Sequence, residues 1–311
     1  MPGPVISAGQ PILVAPVVKD ERATASDGAR LRSAPSSAQE PALRPQILVF
    51  TYHKTGTVLF EKVMRAVAAR FGLTVTVHFG WVEKVDPATD IVLLGHSLVG
   101  RDFAARPFRA IRVVRDPRDI WVSGYLYHRH CREEWCTNTN FDASAPITYP
   151  RVDYSFEHCP ESWKGAYLAR LGGKSYQDNL LELDQEAGLA FELAGYTGRT
   201  LDAMRGWTLA TPDLLQVQLE DVMYDFDGAL DAIFKHVGFN DGECAQAVEL
   251  ARLHDVARMS DEAIAGNRHI HSRSISKWRD FLSAAEIDEF ERRYGDVIAG
   301  LGYRLNQSAT A

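Results

Sequence analysis

A short turn, Tyr52-His53-Lys54-Thr55-Gly56-Thr57, places a lysine, one glycine and two threonine hydroxyls between an apolar run and a helical pattern. Backbone N–H groups at a helix start have no intrahelical partner and carry partial positive charge, so those of Thr55, Gly56, Thr57 and Val58 are candidate donors to a phosphate. Gly56 permits close approach of the anion and Lys54 adds a full charge. The lysine precedes the only glycine of the turn, whereas the GxxxxGK[ST] loop carries it after the second glycine; that order withdraws support from a generic NTPase or kinase. A second cation, Arg115, ends the apolar run Phe108 to Val114 and is followed by Asp116-Pro117-Arg118-Asp119. Eight residues after it, two helical turns on, stands Ser123. Arginine at a strand end can clamp a phosphate through two N–H groups while the serine adds a hydroxyl. The plainer alternative pairs Arg115 with Asp116 or Asp119 at the helix start.

His128, His130, Cys131, Cys136, His158 and Cys159 form a chemically suggestive group, but they lack the paired-cysteine spacing of a zinc site, and we expect no metal.

The elements that must position these residues alternate. Pro45 to Thr51, Leu73 to His78, Asp90 to Leu94, Ala110 to Val114 and Leu214 to Leu219 are short apolar stretches of strand length. Spacings of three and four predict helices after Thr57 and over Asp119 to Tyr127, Tyr176 to Ala194, Thr200 to Ala210, Asp227 to Val237, Glu243 to Ala251 and Ala284 to Leu301. Strand, turn and helix in this order predict an α/β fold: a single domain over 45–305 with a central, mostly parallel sheet flanked by helices and a phosphate-binding turn after the first strand. Residues 1–44 are rich in Pro, Ala, Ser and Gly and read as a disordered tail, and 306–311 read as a C-terminal tail. Cys131 to Pro160 has no period and reads as an insertion or lid, its Trp135, Tyr149, Tyr154 and Phe156, with Trp163 beyond, being candidate acceptor contacts.

Composition narrows the partners. With Lys+Arg 34 against Asp+Glu 41, the 311-residue chain has a net charge of −7, which gives no general attraction to nucleic acid or an anionic membrane. No apolar run approaches a membrane span, and no signal-peptide pattern opens the chain. Four cysteines suit a reducing compartment, so a cytoplasmic protein is expected.

The turn His53-Lys54-Thr55-Gly56-Thr57 resembles the 5′-phosphosulfate loop of the sulfotransferases that use 3′-phosphoadenosine 5′-phosphosulfate (PAPS), which has a Pro-Lys-Ser-Gly-Thr-like order. Phe108 to Arg129 is similar to that family's 3′-phosphate element, with Arg115 and Ser123 at the matching positions. Leu219 to Phe239 is similar to its Tyr-Glu-Asp element, and Ser274 to Tyr303 to its closing segment, a tryptophan followed by Lys or Arg and a helix ending in Leu-Gly-Tyr. The matching blocks run from Ile47 to Tyr303. The resemblance implies PAPS as sulfuryl donor, PAP as product, no metal, and a hydroxyl or amine on a small-molecule, carbohydrate or lipid acceptor. Lys54 would neutralise charge growing on the leaving phosphate. The family's Arg-Lys-Gly run is replaced by His271, Ser272 and Arg273, of which Arg273 is the candidate 3′-phosphate ligand; Leu59 and Leu219 stand where aromatic residues flank the adenine in cytosolic members.

Sulfuryl transfer also needs a group to take the acceptor's proton. His96, after Ile91 to Leu94, occupies the place of the catalytic histidine in the family's Thr-His-Leu-Pro element. Its plainer reading is a hydrogen-bonded strand-end histidine. Glu61 is the rival, and its plainer reading is a first-turn helix stabiliser. Two other functions compete: a nucleotide-dependent kinase and a non-catalytic nucleotide-binding protein on the same fold.

Overall fold

Gln46-Ile-Leu-Val-Phe50 is apolar at both odd and even positions, a pattern that suits a strand covered on both faces. The computed structural model describes residues 44–139, 169–266 and 273–306. In it this run is β1 (Gln46–Phe50), every residue buried. The expectations for residues up to 43, for 140–168 and for His271 and Ser272 lie outside the described residues.

Four further strands complete a parallel sheet: β2 (Val75–His78), β4 (Ile91–Leu94), β6 (Phe108–Val114) and β7 (Leu214–Gln218), in the order β2-β4-β1-β6-β7. The register pairs Ile47 with Ile91 on one side and with Arg109 on the other. A small parallel pair that the sequence reading missed, β3 (Trp81–Val82) with β5 (Leu98–Val99), lies outside this sheet. Side chains alternate across the sheet. Ile47, Val49, Ile91, Leu93, Ile111 and Val113 pack with Phe60, Val63, Met64 and Val67 of α1 (Thr57–Phe71). Leu48, Phe50, Val92, Leu94 and Ala110 face Val82, Val85 and Phe103.

The described residues belong to one compact unit, as the sequence predicts. Arg44 corrects the tail boundary: its guanidinium bonds Glu243 at 2.9 Å and lies 4.6 Å from the Phe239 ring centre. Asn306 is likewise tied, its N–H donating to Glu291 at 2.9 Å.

The helices are α2 (Pro117–His128), α3 (Glu134–Thr137), α4 (Tyr176–Glu182), α5 (Gln185–Ala194), α6 (Tyr196–Arg205), α7 (Leu219–Tyr224), α8 (Phe226–His236), α9 (Asp241–Ala251), α10 (Asp261–Ala265), α11 (Trp278–Phe281) and α12 (Ala284–Gly300). The single helix expected over Tyr176 to Ala194 is two, because Leu183 is extended and Asp184 restarts the chain by accepting from the Ala187 N–H at 2.9 Å. The opening of the presumed insertion is core: Cys131, Trp135 and Cys136 are buried.

Helix α2 sits tightly against α5 and α6. A methyl group on Gly124 would come within 2.6 Å of Thr197 Oγ1 and 2.9 Å of Glu192 Oε1. Gly124→Ala should therefore cost about 1–3 kcal/mol of stability, as overpacking of a well-filled site does. Urea unfolding measures it, and an unchanged midpoint would show that the helices part at little cost.

Candidate functional site

The end of β1 leads directly into the Lys54 turn. Thr55 staples that turn from inside: its hydroxyl accepts from the Tyr52 N–H at 2.7 Å and donates to the Tyr52 carbonyl at 3.0 Å. Thr57 adds contacts to Thr51 and to Tyr52 O. One expectation is corrected here, since the Thr55 N–H donates inward to Tyr52 O at 3.1 Å and is not available to an anion. Gly56, in the left-handed region at φ 94°, is the N-cap of α1 and offers no side-chain cap. A Cβ there would meet Leu219 at 2.9 Å, so glycine is required both by the backbone and by the packing. The first-turn N–H groups of Thr57 and Val58 point out of the helix end without intrahelical partners.

Lys54 itself has φ 62°, a conformation costly for any residue with a side chain. Its Nζ lies 4.0 Å above the centre of the Tyr127 ring. Burial is the main cause that lowers its pKa to about 7, with Arg115 and Lys277 adding repulsion. Lys277 is lowered to about 8, again by burial first and Arg115 second. Arg115 donates to the Lys54 carbonyl at 3.1 Å and to Ser123 Oγ at 3.0 Å. Three cations thus act on one another beside the start of α1. Asp119 lies 4.0 Å from Arg115, and burial pushes its carboxyl up to about 6, while Glu133 acts on Lys54 against the two neighbouring cations. Beneath the turn, buried Arg112 bonds only neutral acceptors, Tyr52 Oη, Gln216 Oε1 and Met204 O, and no carboxylate among the described residues pairs with it.

Asp116, the acid next to Arg115 in the chain, is occupied elsewhere. Asp116 caps α2 by accepting from the Arg118 N–H at 3.0 Å and takes the Arg118 guanidinium at 2.7 Å. Arg118 is further fixed by Glu291 at 2.6 Å and by the Trp278 ring at 3.9 Å. The first of the two plainer pairings therefore belongs to Arg118, and the second is a long contact.

Arg273 is placed differently from the expectation. Its exposed guanidinium bonds Asp261 at 2.6 Å and reaches the Met259 carbonyl. Lys277, just before the buried Trp278, is the cation that the sequence reading passed over. Glu61 forms an exposed ion pair with Arg65, one helical turn on, at 2.9 Å.

His96 is buried with both ring nitrogens engaged: Nδ1 accepts from the Gly80 N–H at 3.0 Å, so the neutral ring carries its proton on Nε2, 3.1 Å from Tyr196 Oη. A second imidazole, missed in the sequence as a partner of anything but zinc, is His128. Its Nδ1 lies 2.8 Å from Glu192, which also accepts from Thr197 at 2.7 Å and Tyr176 at 3.0 Å. Burial pushes the Glu192 carboxyl up, but His128 and these bonds outweigh it and the net direction is down. His128 Nε2 is buried with no hydrogen-bond partner among the described residues. The ring stacks on His53 at 4.8 Å, which joins the dyad to the Lys54 turn. Among the described residues no three His, Cys, Asp or Glu side chains gather as a metal site.

The site can hold an anion with more than one charge, at the expense of apo stability. Because Lys54 titrates lower in the fold than unfolded, the unfolded chain binds the extra proton between about pH 7 and 10.5, and stability from this group rises with pH across that window. Lys54→Met should raise the melting temperature of the ligand-free protein at pH 6 by several degrees and by progressively less toward pH 10. A constant difference across that range would show that Lys54 is not desolvated.

No family model and no curated protein matches this sequence. Among solved structures the chain is similar to the crystal structure of mouse sulfotransferase SULT7A1 complexed with PAP, with 14% identity and a TM-score of 0.42, over 83% of this chain and 86% of that one. A likeness at this level adds nothing to what the residues of the site themselves indicate.

Proposed function

We propose that this chain is a PAPS-dependent sulfotransferase that moves the sulfuryl group to a hydroxyl or amine of a small-molecule, carbohydrate or lipid acceptor and releases PAP. The observation that carries the reading is the gathering of Lys54, Arg115 and Lys277 beside the open N-terminus of α1, where burial and mutual repulsion lower both lysines although Glu133 and Asp119 act against it. Gly56, Thr57 and Val58 hold the 5′-phosphosulfate through backbone N–H groups. Arg115 and Ser123, already joined, hold the 3′-phosphate, and Lys277 reinforces them. As the acceptor oxygen attacks sulfur and the bond from sulfur to the bridging phosphate oxygen breaks, Lys54 stabilises the charge left on that oxygen. A reaction of this kind calls for no metal and no nucleic acid, and we place it in the cytoplasm.

His96 is the proposed acceptor-side base. To take a proton it must release the Gly80 N–H from Nδ1, because Nε2 becomes an acceptor only when the ring proton moves to Nδ1 and faces that same N–H. A second reading is favoured by the open nitrogen of His128, which is backed by Glu192 in the manner of a carboxylate-held catalytic imidazole.

PAP without metal should raise the melting temperature, and ATP with Mg²⁺ should not; the reverse pattern would favour a kinase. Arg115→Ala should weaken PAP more than about tenfold, since a charge-assisted hydrogen bond contributes about 1.5–3 kcal/mol. It should leave adenosine 5′-phosphosulfate, which has no 3′-phosphate, nearly unaffected, and equal losses for both nucleotides would overturn the placement.

The base is settled with radiolabelled PAPS and a metabolite extract. The variant of the true base, His96→Ala or His128→Ala, should keep PAP affinity yet lose about 10²–10⁴ in turnover together with the acidic limb of the pH profile. Normal turnover in both variants would remove histidine from the chemistry.

A further inference from the structure

Cys131 and Cys136 lie five residues apart across the connection from α2 to α3, both buried and unbridged. Their thiols converge on one acceptor, the His128 carbonyl, at 4.0 and 3.6 Å, and the Cys136 S–H can turn instead to the Cys131 sulfur. Nothing in the transfer chemistry uses them. The two sulfurs are nevertheless unlike. Cys131 is pulled down to about 7, first by the hydrogen bond from Cys136 against the opposing effect of burial, then by the Glu133 N–H and His128. The same bond, with burial second, pushes the Cys136 thiol up. Two reduced sulfurs held on one carbonyl are placed as an attacking and a resolving cysteine would be.

We propose that Cys131 and Cys136 are a redox-active dithiol that a peroxide closes into an intrachain disulfide beside the nucleotide site. The Cys131 thiolate attacks a peroxide oxygen, the O–O bond breaks, and a sulfenic acid and hydroxide (or alkoxide) result. Cys136 sulfur then attacks Cys131 sulfur, its proton leaving with the sulfenic oxygen as water. Two thiols are oxidised by two electrons, one peroxide is reduced, and a dithiol reductant reverses the closure. Closure reaches Lys54 by two routes. Tyr127, whose ring lies under Lys54 Nζ, directly precedes the His128 carbonyl that both thiols address. Lys54 faces Arg115, Lys277, Glu133 and Cys131; the Cys131 charge supports its protonated form, after that of Glu133, and is the one lost in the disulfide. This effect on the nucleotide rests on the sulfotransferase reading, whereas the disulfide itself does not.

The test treats the full-length protein with a small excess of hydrogen peroxide and digests it with trypsin without reduction. Trypsin cuts after Arg129 and Arg132, so the bridge joins two separate peptides, 130–132 and 133–151. Mass spectrometry should find them linked, with two thiols lost and both restored by dithiothreitol. Cys131→Ser and Cys136→Ser should each abolish the link. Phenylarsine oxide, which binds two adjacent thiols at once, should label untreated wild type and neither variant. Oxidation of Cys131 to the sulfinic acid with Cys136 left reduced, or a bridge to any other cysteine, overturns the proposal.

A second arm follows PAP affinity against pH. Its alkaline fall, set by Lys54, should begin at lower pH in the oxidised protein, and also in Cys131→Ser without oxidant. A disulfide that forms and leaves this profile unchanged overturns the coupling to Lys54. Absence of PAP binding in the reduced wild type overturns the sulfotransferase reading while the peptide link still decides the dithiol.

Discussion

Three cations held against one another, offset only in part by Glu133 and Asp119, are the constraint around which the rest of the site is arranged. Removing charge from water is expensive, and Lys54 and Lys277 record the expense in pKa values lowered to about 7 and about 8. Such a cluster persists only when neighbouring packing over-determines it. Here the sheet supplies that packing, because β1 and β6 are adjacent and in register, so that the turn after one and Arg115 after the other emerge side by side. The acids are kept apart by the same means. Arg118 takes Asp116 and Glu291, and in doing so leaves Arg115 to Ser123 and the Lys54 carbonyl.

Behind the cations lies a buried polar layer that joins the turn to the helices on one side of the sheet. Glu192 accepts from His128, Thr197 and Tyr176, so the carboxylate has a donor from each helix it touches and from its own neighbour in α6. A buried charge satisfied in this way fixes helix positions closely, because any separation leaves it partly unpaired. Gly124 is the point at which α2 yields to let that network close. Tyr196 extends the layer to His96, and the His53 stack brings it to the residue before Lys54. The imidazoles near the site are thus positioned by a framework whose energetics are those of the core.

Much of the fold was legible in residue order. The continuous apolar run Gln46 to Phe50, the glycine turn and the helical period after Thr57 required a strand covered on both faces and a helix returning across it, and the sheet has that form. The Tyr176 to Ala194 reading went wrong where a local signal, an aspartate in position to cap a new helix, lost to an uninterrupted hydrophobic period. The short pairing of Trp81–Val82 with Leu98–Val99 was invisible because two-residue strands have no period of their own.

The sequence by itself determined what local geometry gathers at the first turn: Lys54, Gly56 and the first N–H groups of α1 are fixed by a single turn and its helix. Arg115 and Ser123 were likewise readable, being two helical turns apart on one segment. What only the tertiary structure decided were the partners drawn from distant parts of the chain. Lys277 joined the cations and Arg273 did not, because Asp261 claims the latter's guanidinium. Thr55 turned its N–H inward, and His96 received Gly80 and Tyr196 while His128 received Glu192. The reason is physical: helix starts and strand ends are set by interactions within a few residues. The pairing of a buried ionisable group depends instead on which donor or acceptor the packed sheet and helices bring within about 3 Å, a hydrogen-bond distance that no spacing along the chain encodes.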